Sequence, residues 1–159
     1  MRMNSIGLPV QECEAIVDDL NRLLSGFQVY YQNLRGLHWN IRGKRFFNLH
    51  VKFEELYNEA QLNIDNLAER ILTIGGTPLH TFEDYMANNN LKVGKNISND
   101  EKAVHLVVDS LTDLLKIERE LLNKSANIND EGTNSMMSDL IKNQEKTIWM
   151  MKAWLEESL

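Results

Sequence analysis

Apolar residues recur along most of this chain at intervals of three and four, the spacing that places them on one face of an α-helix. Only two prolines occur in the 159 residues, so these patterns are free to run as long helices. The first pattern predicts a helix over about residues 9 to 38, with Pro9 in its first turn. Its apolar positions are Ile16, Leu20, Leu23, Leu24, Phe27, Tyr30, Tyr31 and Leu34.

The second pattern predicts a helix over about residues 45 to 73, which follows a break at Gly43 and ends at the sequence GGTP. Its apolar positions are Phe46, Leu49, Phe53, Leu56, Tyr57, Ala60, Ile64, Leu67, Ala68 and Ile71. The polar segment from Thr77 to Asn99 is too long for a tight turn and predicts a crossover connection. Within it, the sequence TFEDYM predicts a short helix capped by Thr81.

Two further long helices are predicted after this connection. Ser98 and Glu101 have the spacing of a capping box, which indicates a helix over about residues 99 to 125. The last helix follows the sequence NINDEGTN and is predicted to reach nearly to the C-terminus. The apolar positions of the two helices are Val104, Val107, Leu111, Leu114, Leu115, Leu121 and Leu122, and then Met137, Leu140, Ile141, Ile148, Met151, Trp154 and Leu155.

Four helices of similar length, with short links on either side of one long middle connection, predict an all-α, ferritin-like four-helix bundle with a short helix in the crossover. The length suits one domain spanning residues 1–159. No segment approaches the roughly eighteen apolar residues of a membrane span. The lone cysteine, Cys13, and first residues without the apolar core of a secretory signal predict a cytoplasmic protein.

A stripe of metal-binding residue types lies on the second predicted helix. His50, Glu54, Asp65 and Glu69 project within about 100° of one another, but the first pair lies roughly 16 Å from the second along the axis. One metal site therefore cannot use both pairs from one chain. The four positions are symmetric about the middle of the segment, so two copies crossing antiparallel there would bring His50 near Glu69 and Glu54 near Asp65.

Each of these clusters would be completed by His38, from the end of the first helix. Taken singly, such residues are more often structural, because acidic helix surfaces are common and a histidine beside a tryptophan usually packs in the core. Together they indicate a metal, because carboxylates gathered at an interface need cations to neutralise them. Imidazole with carboxylate suits iron, manganese or zinc, and the lack of nearby cysteines argues against structural zinc.

A di-iron site inside one bundle would need Glu-x-x-His pairs on two helices, and the chain has none. Glu101 and His105 come closest, but they are four residues apart and stand alone. We therefore predict a structural role for both residues.

The sequence LHWNIRGKRFFNLHVKFEELYNEAQLNIDNLAERILTIGGTP, which begins at Leu37, resembles the Dps family, the DNA-protection-during-starvation proteins or mini-ferritins. The matching features are a His-Trp pair, a second histidine twelve residues on, an acid four residues later, and Asp-x-x-x-Glu within DNLAER. The resemblance extends over nearly the whole chain. It implies a hollow dodecamer, built from two-fold dimers, that oxidises Fe(II) and stores Fe(III) mineral.

The resemblance also implies a catalytic di-iron site that uses hydrogen peroxide in preference to oxygen. His38 and His50 would come from one subunit, and Asp65 and Glu69 from its two-fold mate, with Glu69 bridging two metal positions. Glu54 would support the site from the histidine side; many family members have Asp there, so its direct ligation stays open. Zinc or manganese could substitute for iron.

Two further roles come from the resemblance alone. Trp39 would quench a radical formed during oxidation, although interface packing is an equally good interpretation. Iron would enter through acidic three-fold pores near the start of the last helix, where Asp130, Glu131 and Asp139 lie.

The predicted function is that of a ferroxidase and iron store that protects against oxidative damage. One alternative is a nucleoid-binding protein with little catalytic role, and another is a purely structural helical assembly. DNA binding is predicted to be weak or absent, because the net charge is −6 and the sequence RGKR at 42 to 45 is typical of a solvated loop. Family members that bind DNA use lysine-rich tails, whereas this chain has Arg2 alone at one end and EESL at the other.

Overall fold

The computed structural model describes all 159 residues and contains five α-helices and no strand. Its helices are α1 (Val10–Asn40), α2 (Phe46–Thr73), α3 (Phe82–Asn88), α4 (Asp100–Asn127) and α5 (Glu131–Trp154). The four long helices form a bundle, and α3 lies in the long connection between α2 and α4. The predicted ferritin-like bundle with a short crossover helix is therefore confirmed. None of the five helices has an apolar stretch that could cross a membrane.

The apolar stripes of the long helices meet in one continuous core. The first helix, α1, packs along both α2 and α4, and α4 packs along α5. Phe27 of α1 and Phe53 of α2 are among the largest fully buried side chains. Burying a side chain of this size stabilises the fold by about 1.5–3 kcal/mol relative to leaving it exposed, so the bundle depends mainly on this apolar core.

The observed helix ends lie close to the predicted ones. The first helix continues to Asn40 instead of ending at 38, and Pro9 precedes it as the N-cap residue instead of lying in its first turn. Gly43 and Gly75 have positive φ angles of 121° and 96°, which explains why the chain turns after α1 and after α2. Thr81 caps α3 as predicted, because its hydroxyl accepts a hydrogen bond from the backbone N–H of Asp84 (3.1 Å).

The predicted capping box at the start of α4 is wrong. The N-cap is Asn99, whose side-chain oxygen accepts a hydrogen bond from the backbone N–H of Lys102 (2.9 Å). Ser98 lies one residue too early, since its carbonyl oxygen accepts a hydrogen bond from the backbone N–H of Arg42 in the link after α1 (3.0 Å). Asn caps a helix as well as Ser does, so the chain begins α4 at the next position.

Candidate metal site

The two predicted histidines lie against each other where the end of α1 meets the start of α2. Nδ1 of His38 forms a hydrogen bond with the carbonyl oxygen of His50 (2.6 Å), and Nδ1 of His50 forms one with the carbonyl oxygen of His38 (2.7 Å). A carbonyl oxygen only accepts, so each ring must carry its hydrogen on Nδ1. In the neutral rings, Nε2 of both histidines therefore keeps a lone pair for a metal ion.

Neighbouring rings hold this histidine pair in place. The two imidazoles stack with their centroids 3.7 Å apart and an interplanar angle of 11°. Tyr57 packs edge-on against His38 at 5.4 Å, and Phe46 stacks on His50 at 4.8 Å. Phe46 and Tyr57 were not predicted as site residues, although they lie four residues before and seven after His50, on the same helix face.

Within one chain, none of the three predicted carboxylates forms a hydrogen bond or ion pair with either histidine, although Glu54 lies one helical turn after His50. Glu54, Asp65 and Glu69 are all exposed on α2, and none of them forms an ion pair. No group of three or more His, Cys, Asp or Glu side chains converges within the chain in a way that could hold a metal. One chain therefore supplies a pair of imidazoles with Glu54 one turn away and, farther along α2, the unpaired carboxylates of Asp65 and Glu69.

Asp130 does not suit the predicted pore, because its side chain is 1% exposed. Its carboxylate caps α5 by accepting a hydrogen bond from the backbone N–H of Thr133 (3.0 Å), and it forms an ion pair with Arg70 of α2. Water in a pore could not reach it, so the pore assignment of Asp130 is wrong. Glu131 and Asp139 are exposed, and their assignment stays a prediction.

Trp39 and His105 each contact a charged side chain. Trp39 is 57% exposed, and the guanidinium of Arg35 lies 4.9 Å from its ring centroid. His105 pairs with Glu157 near the C-terminus (2.9 Å), and this hydrogen bond raises its pKa above the ordinary value. The structural role predicted for His105 agrees with this pairing.

A buried carboxylate in the bundle centre was not predicted from the sequence. Glu118 of α4 is fully buried and accepts a hydrogen bond from the side-chain amide of Gln144 of α5 (2.6 Å). Burial raises the pKa of Glu118 to about 8, even though Gln144 and Arg119 act to lower it. The sequence did contain a signal, because Glu118 follows Leu111, Leu114 and Leu115 at the helical spacing of a core position.

The fold and the histidine pair together define a ferritin-like protein, and comparison with known proteins agrees. The protein-family model described as a ferritin-like domain matches residues 17–158 of this chain. The crystal structure of the Dps protein from Vibrio cholerae O1, described as a member of a broad superfamily of ferritin-like diiron-carboxylate proteins, has a TM-score of 0.95 with this chain. The two are 44% identical, and the match covers 98% of each chain.

Two further relatives carry the same family name. The DNA protection during starvation protein of Brevibacillus brevis is 37% identical over 150 residues, which cover 92% of this chain and 97% of the relative. The crystal structure of Dps from Staphylococcus aureus is 34% identical with a TM-score of 0.86, covering 92% of this chain and 97% of that chain. This chain belongs to the Dps family of the ferritin-like superfamily.

Proposed function

We propose that the protein is a ferroxidase and iron store, a mini-ferritin that oxidises Fe(II) with hydrogen peroxide at di-iron sites shared by two chains. The reciprocal hydrogen bonds of His38 and His50 are the observation that carries this proposal. Each ring uses Nδ1 on a backbone carbonyl, which is the usual arrangement of a histidine whose Nε2 binds a metal. Two imidazoles whose Nε2 atoms are free, together with carboxylate ligands, form a ligand set that suits iron.

The exposed surface of α2 supports a site shared by two chains. Four large apolar side chains are at least half exposed on the stripe that also carries the carboxylates: Phe47, Val51, Leu62 and Leu72. Phe47 and Leu72 are symmetric about the same midpoint as His50 and Glu69. An antiparallel copy of α2 would therefore cover these apolar residues and bring the acids of one chain to the histidines of the other.

The chemistry of such a site follows from its ligands. Two Fe(II) ions would each give one electron to hydrogen peroxide, which takes up two protons and becomes two water molecules. Because both electrons are supplied in one place, no hydroxyl radical is released. The carboxylates of Asp65 and Glu69 would stabilise the product, since anionic oxygen favours Fe(III) over Fe(II). Glu54 would support the site beside His50, and zinc or manganese would suit the same ligands.

The Fe(III) product would be stored as mineral inside a hollow dodecamer. Removal of Fe(II) and peroxide together would protect the cell from oxidative damage. This agrees with the name of the Brevibacillus brevis relative, a DNA protection during starvation protein.

An anaerobic titration with Fe(II), followed by hydrogen peroxide, tests this proposal. We expect saturable Fe(II) binding and rapid oxidation in the wild type, and oxidation at least about tenfold slower in Asp65→Ala/Glu69→Ala, because ligand losses cost at least that much affinity. The matched control, Glu55→Ala/Glu83→Ala, also removes two exposed carboxylates and should keep the wild-type rate. Equal rates in all three folded and assembled proteins would refute the site.

A further inference from the structure

Phe46, the first residue of α2, covers one face of the His50 ring. Its ring centroid lies 4.8 Å from that of His50 with an interplanar angle of 19°, while His38 covers the opposite face at 3.7 Å and 11°. His50 is therefore the middle member of a three-ring stack. The hydrogen bond of its Nδ1 fixes one point of the ring and leaves the ring plane free to tilt about that point. The two stacked neighbours remove this freedom and so set the direction of the Nε2 lone pair.

The face of the Phe46 ring also has an electrostatic effect on this stack. Coordination of cations by both imidazoles would leave two partly positive rings at a centroid distance of 3.7 Å, where like charges repel each other. The π-electron face of Phe46 is negative, so it would stabilise the positive His50 ring from the other side. A leucine side chain could fill much of the same space but would offer no such face.

Arg45 occupies the N-cap position of α2, where its side chain does not cap the helix. Ser, Thr, Asp and Asn are the usual residues there, and a cation beside a helix N-terminus is unfavourable because the helix dipole is positive at that end. No acidic residue in the first turn of α2 offsets this charge. Arg45 therefore weakens the start of α2 locally, which indicates that contacts outside α2 account for an arginine at this position.

Those contacts connect the start of α2 to the other half of the bundle. Nε of Arg45 donates to Oδ2 of Asp100, the first residue of α4 (2.8 Å), and its guanidinium carbon lies 4.2 Å from the ring centroid of Trp154, the last residue of α5. The link between α1 and α2 is tied to the start of α4 once more, because the backbone N–H of Arg42 donates to the carbonyl oxygen of Ser98 (3.0 Å). Three contacts therefore fix the place where α2 begins.

We propose that Phe46 is a positioning residue for the metal-binding histidines, and that Arg45 anchors it to the ends of α4 and α5. This inference rests on the proposed function, since both residues act through the His38–His50 pair. Arg45 and Phe46 are adjacent in sequence, so the anchor of one side chain sets the place of the other. The end of α5 thereby affects the metal affinity of a site that α1 and α2 form.

Anaerobic titration of the assembled protein with Co²⁺, followed by the visible absorption band of the bound ion, tests the positioning role. Phe46→Leu should lower the Co²⁺ affinity about tenfold or more and change the band shape, because outer groups that orient a metal-binding histidine have effects of that size. Phe46→Tyr keeps the ring face and should bind Co²⁺ as the wild type does. Phe82→Leu is the matched control, because Phe82 is also the first residue of its helix but packs edge-on against Tyr85. Wild-type affinity and band shape in Phe46→Leu would overturn the proposal.

Arg45→Gln tests the anchor, and it replaces Phe46→Leu if that variant does not assemble. We expect about a threefold loss of Co²⁺ affinity, since an exposed ion pair contributes a small free energy. Arg119→Gln removes another exposed arginine that pairs between helices, with Glu145 of α5 (2.7 Å), and should leave Co²⁺ binding unchanged. Equal affinity in Arg45→Gln and the wild type would overturn the anchor.

His38→Ala/His50→Ala separates this inference from the proposed function. If the wild type shows no Co²⁺ band that this double variant removes, the histidine pair is not a metal site and both proposals fail. If the wild type binds Co²⁺ through the histidines but does not oxidise Fe(II), only the proposed function fails. If it does both, while Phe46→Leu and Arg45→Gln bind Co²⁺ as the wild type does, only the positioning role fails.

Discussion

Glu118 is a single side chain whose surroundings predict how stability depends on pH. Its pKa rises from 4.5 to about 8 on folding, because burial disfavours the charged form. Between these values the folded chain keeps a proton that the unfolded chain has lost. The stability linked to this proton is therefore fully present below pH 4.5 and is lost as the pH rises through about 8.

Glu118→Gln should remove this dependence, because the amide does not titrate. We expect the unfolding free energy of the wild type to fall more steeply than that of the variant from about pH 5 to pH 8, by a few kcal/mol. Urea unfolding in metal-free buffer, at one fixed protein concentration, measures the difference. His105 also has a raised pKa, but both proteins contain it, so its contribution cancels. Parallel pH profiles would contradict the assignment of Glu118.

The side-chain cap of α5 should contribute much more to the free energy of unfolding than the cap of α3. Asp130 is buried, caps α5 and pairs with Arg70, whose guanidinium also donates to the hydroxyl of Thr133 (3.0 Å). Thr81 caps the short, exposed helix α3. We expect Asp130→Ala to lower the unfolding free energy by about 3 kcal/mol or more, because it leaves the partly buried guanidinium of Arg70 without its ion-pair partner. Thr81→Ala should cost about 1 kcal/mol or less.

Chemical denaturation of both alanine variants, at equal protein concentration, measures these two costs. The variants differ in what the lost side chain contacts, while each loses one side-chain cap of a helix. Similar losses of stability would show that the Arg70–Asp130 pair adds nothing beyond capping.

The helices themselves were predictable, because their apolar spacing is a local property of the sequence. The exact cap of α4 was not predictable, because the carbonyl oxygen of Ser98 is engaged by the backbone N–H of Arg42, from a distant part of the chain, while Asn99 caps the helix. The reciprocal histidine bonds depend in the same way on the link between α1 and α2. Glu118 could have been found, because it interrupts an apolar stripe, but its pairing with Gln144 required the packing of α4 on α5.

The net charge of the whole molecule predicts weak binding to DNA. A charge of −6 per chain repels phosphate, and no basic segment concentrates positive charge. Any residual binding to exposed lysines and arginines should disappear at moderate salt, because it relies on the release of counterions. We therefore expect no shift of duplex DNA in an electrophoretic assay at about physiological ionic strength and neutral pH. A tight complex under those conditions would reveal a basic surface that forms only on assembly.

The two-fold site can be tested on the assembled molecule with two inactive variants. One carries His38→Ala with His50→Ala, and the other carries Asp65→Ala with Glu69→Ala. Each variant alone should be nearly inactive in peroxide-driven Fe(II) oxidation, because every shared site has lost half of its ligands. The histidine variant also loses the stacked rings beside Tyr57, so its assembly must be verified by size-exclusion chromatography.

Unfolding the two variants together and reassembling them should restore activity. In a mixed dimer, one site collects all the substitutions, while the other receives intact histidines from one chain and intact acids from its mate. With random pairing, half of the dimers are mixed and each has one good site of two, so recovery should approach about a quarter of the wild-type rate. The same treatment of each variant alone is the control and should recover nothing. If every ligand came from one chain, no mixture could rebuild a site, and verified mixed dimers without activity would contradict the shared site.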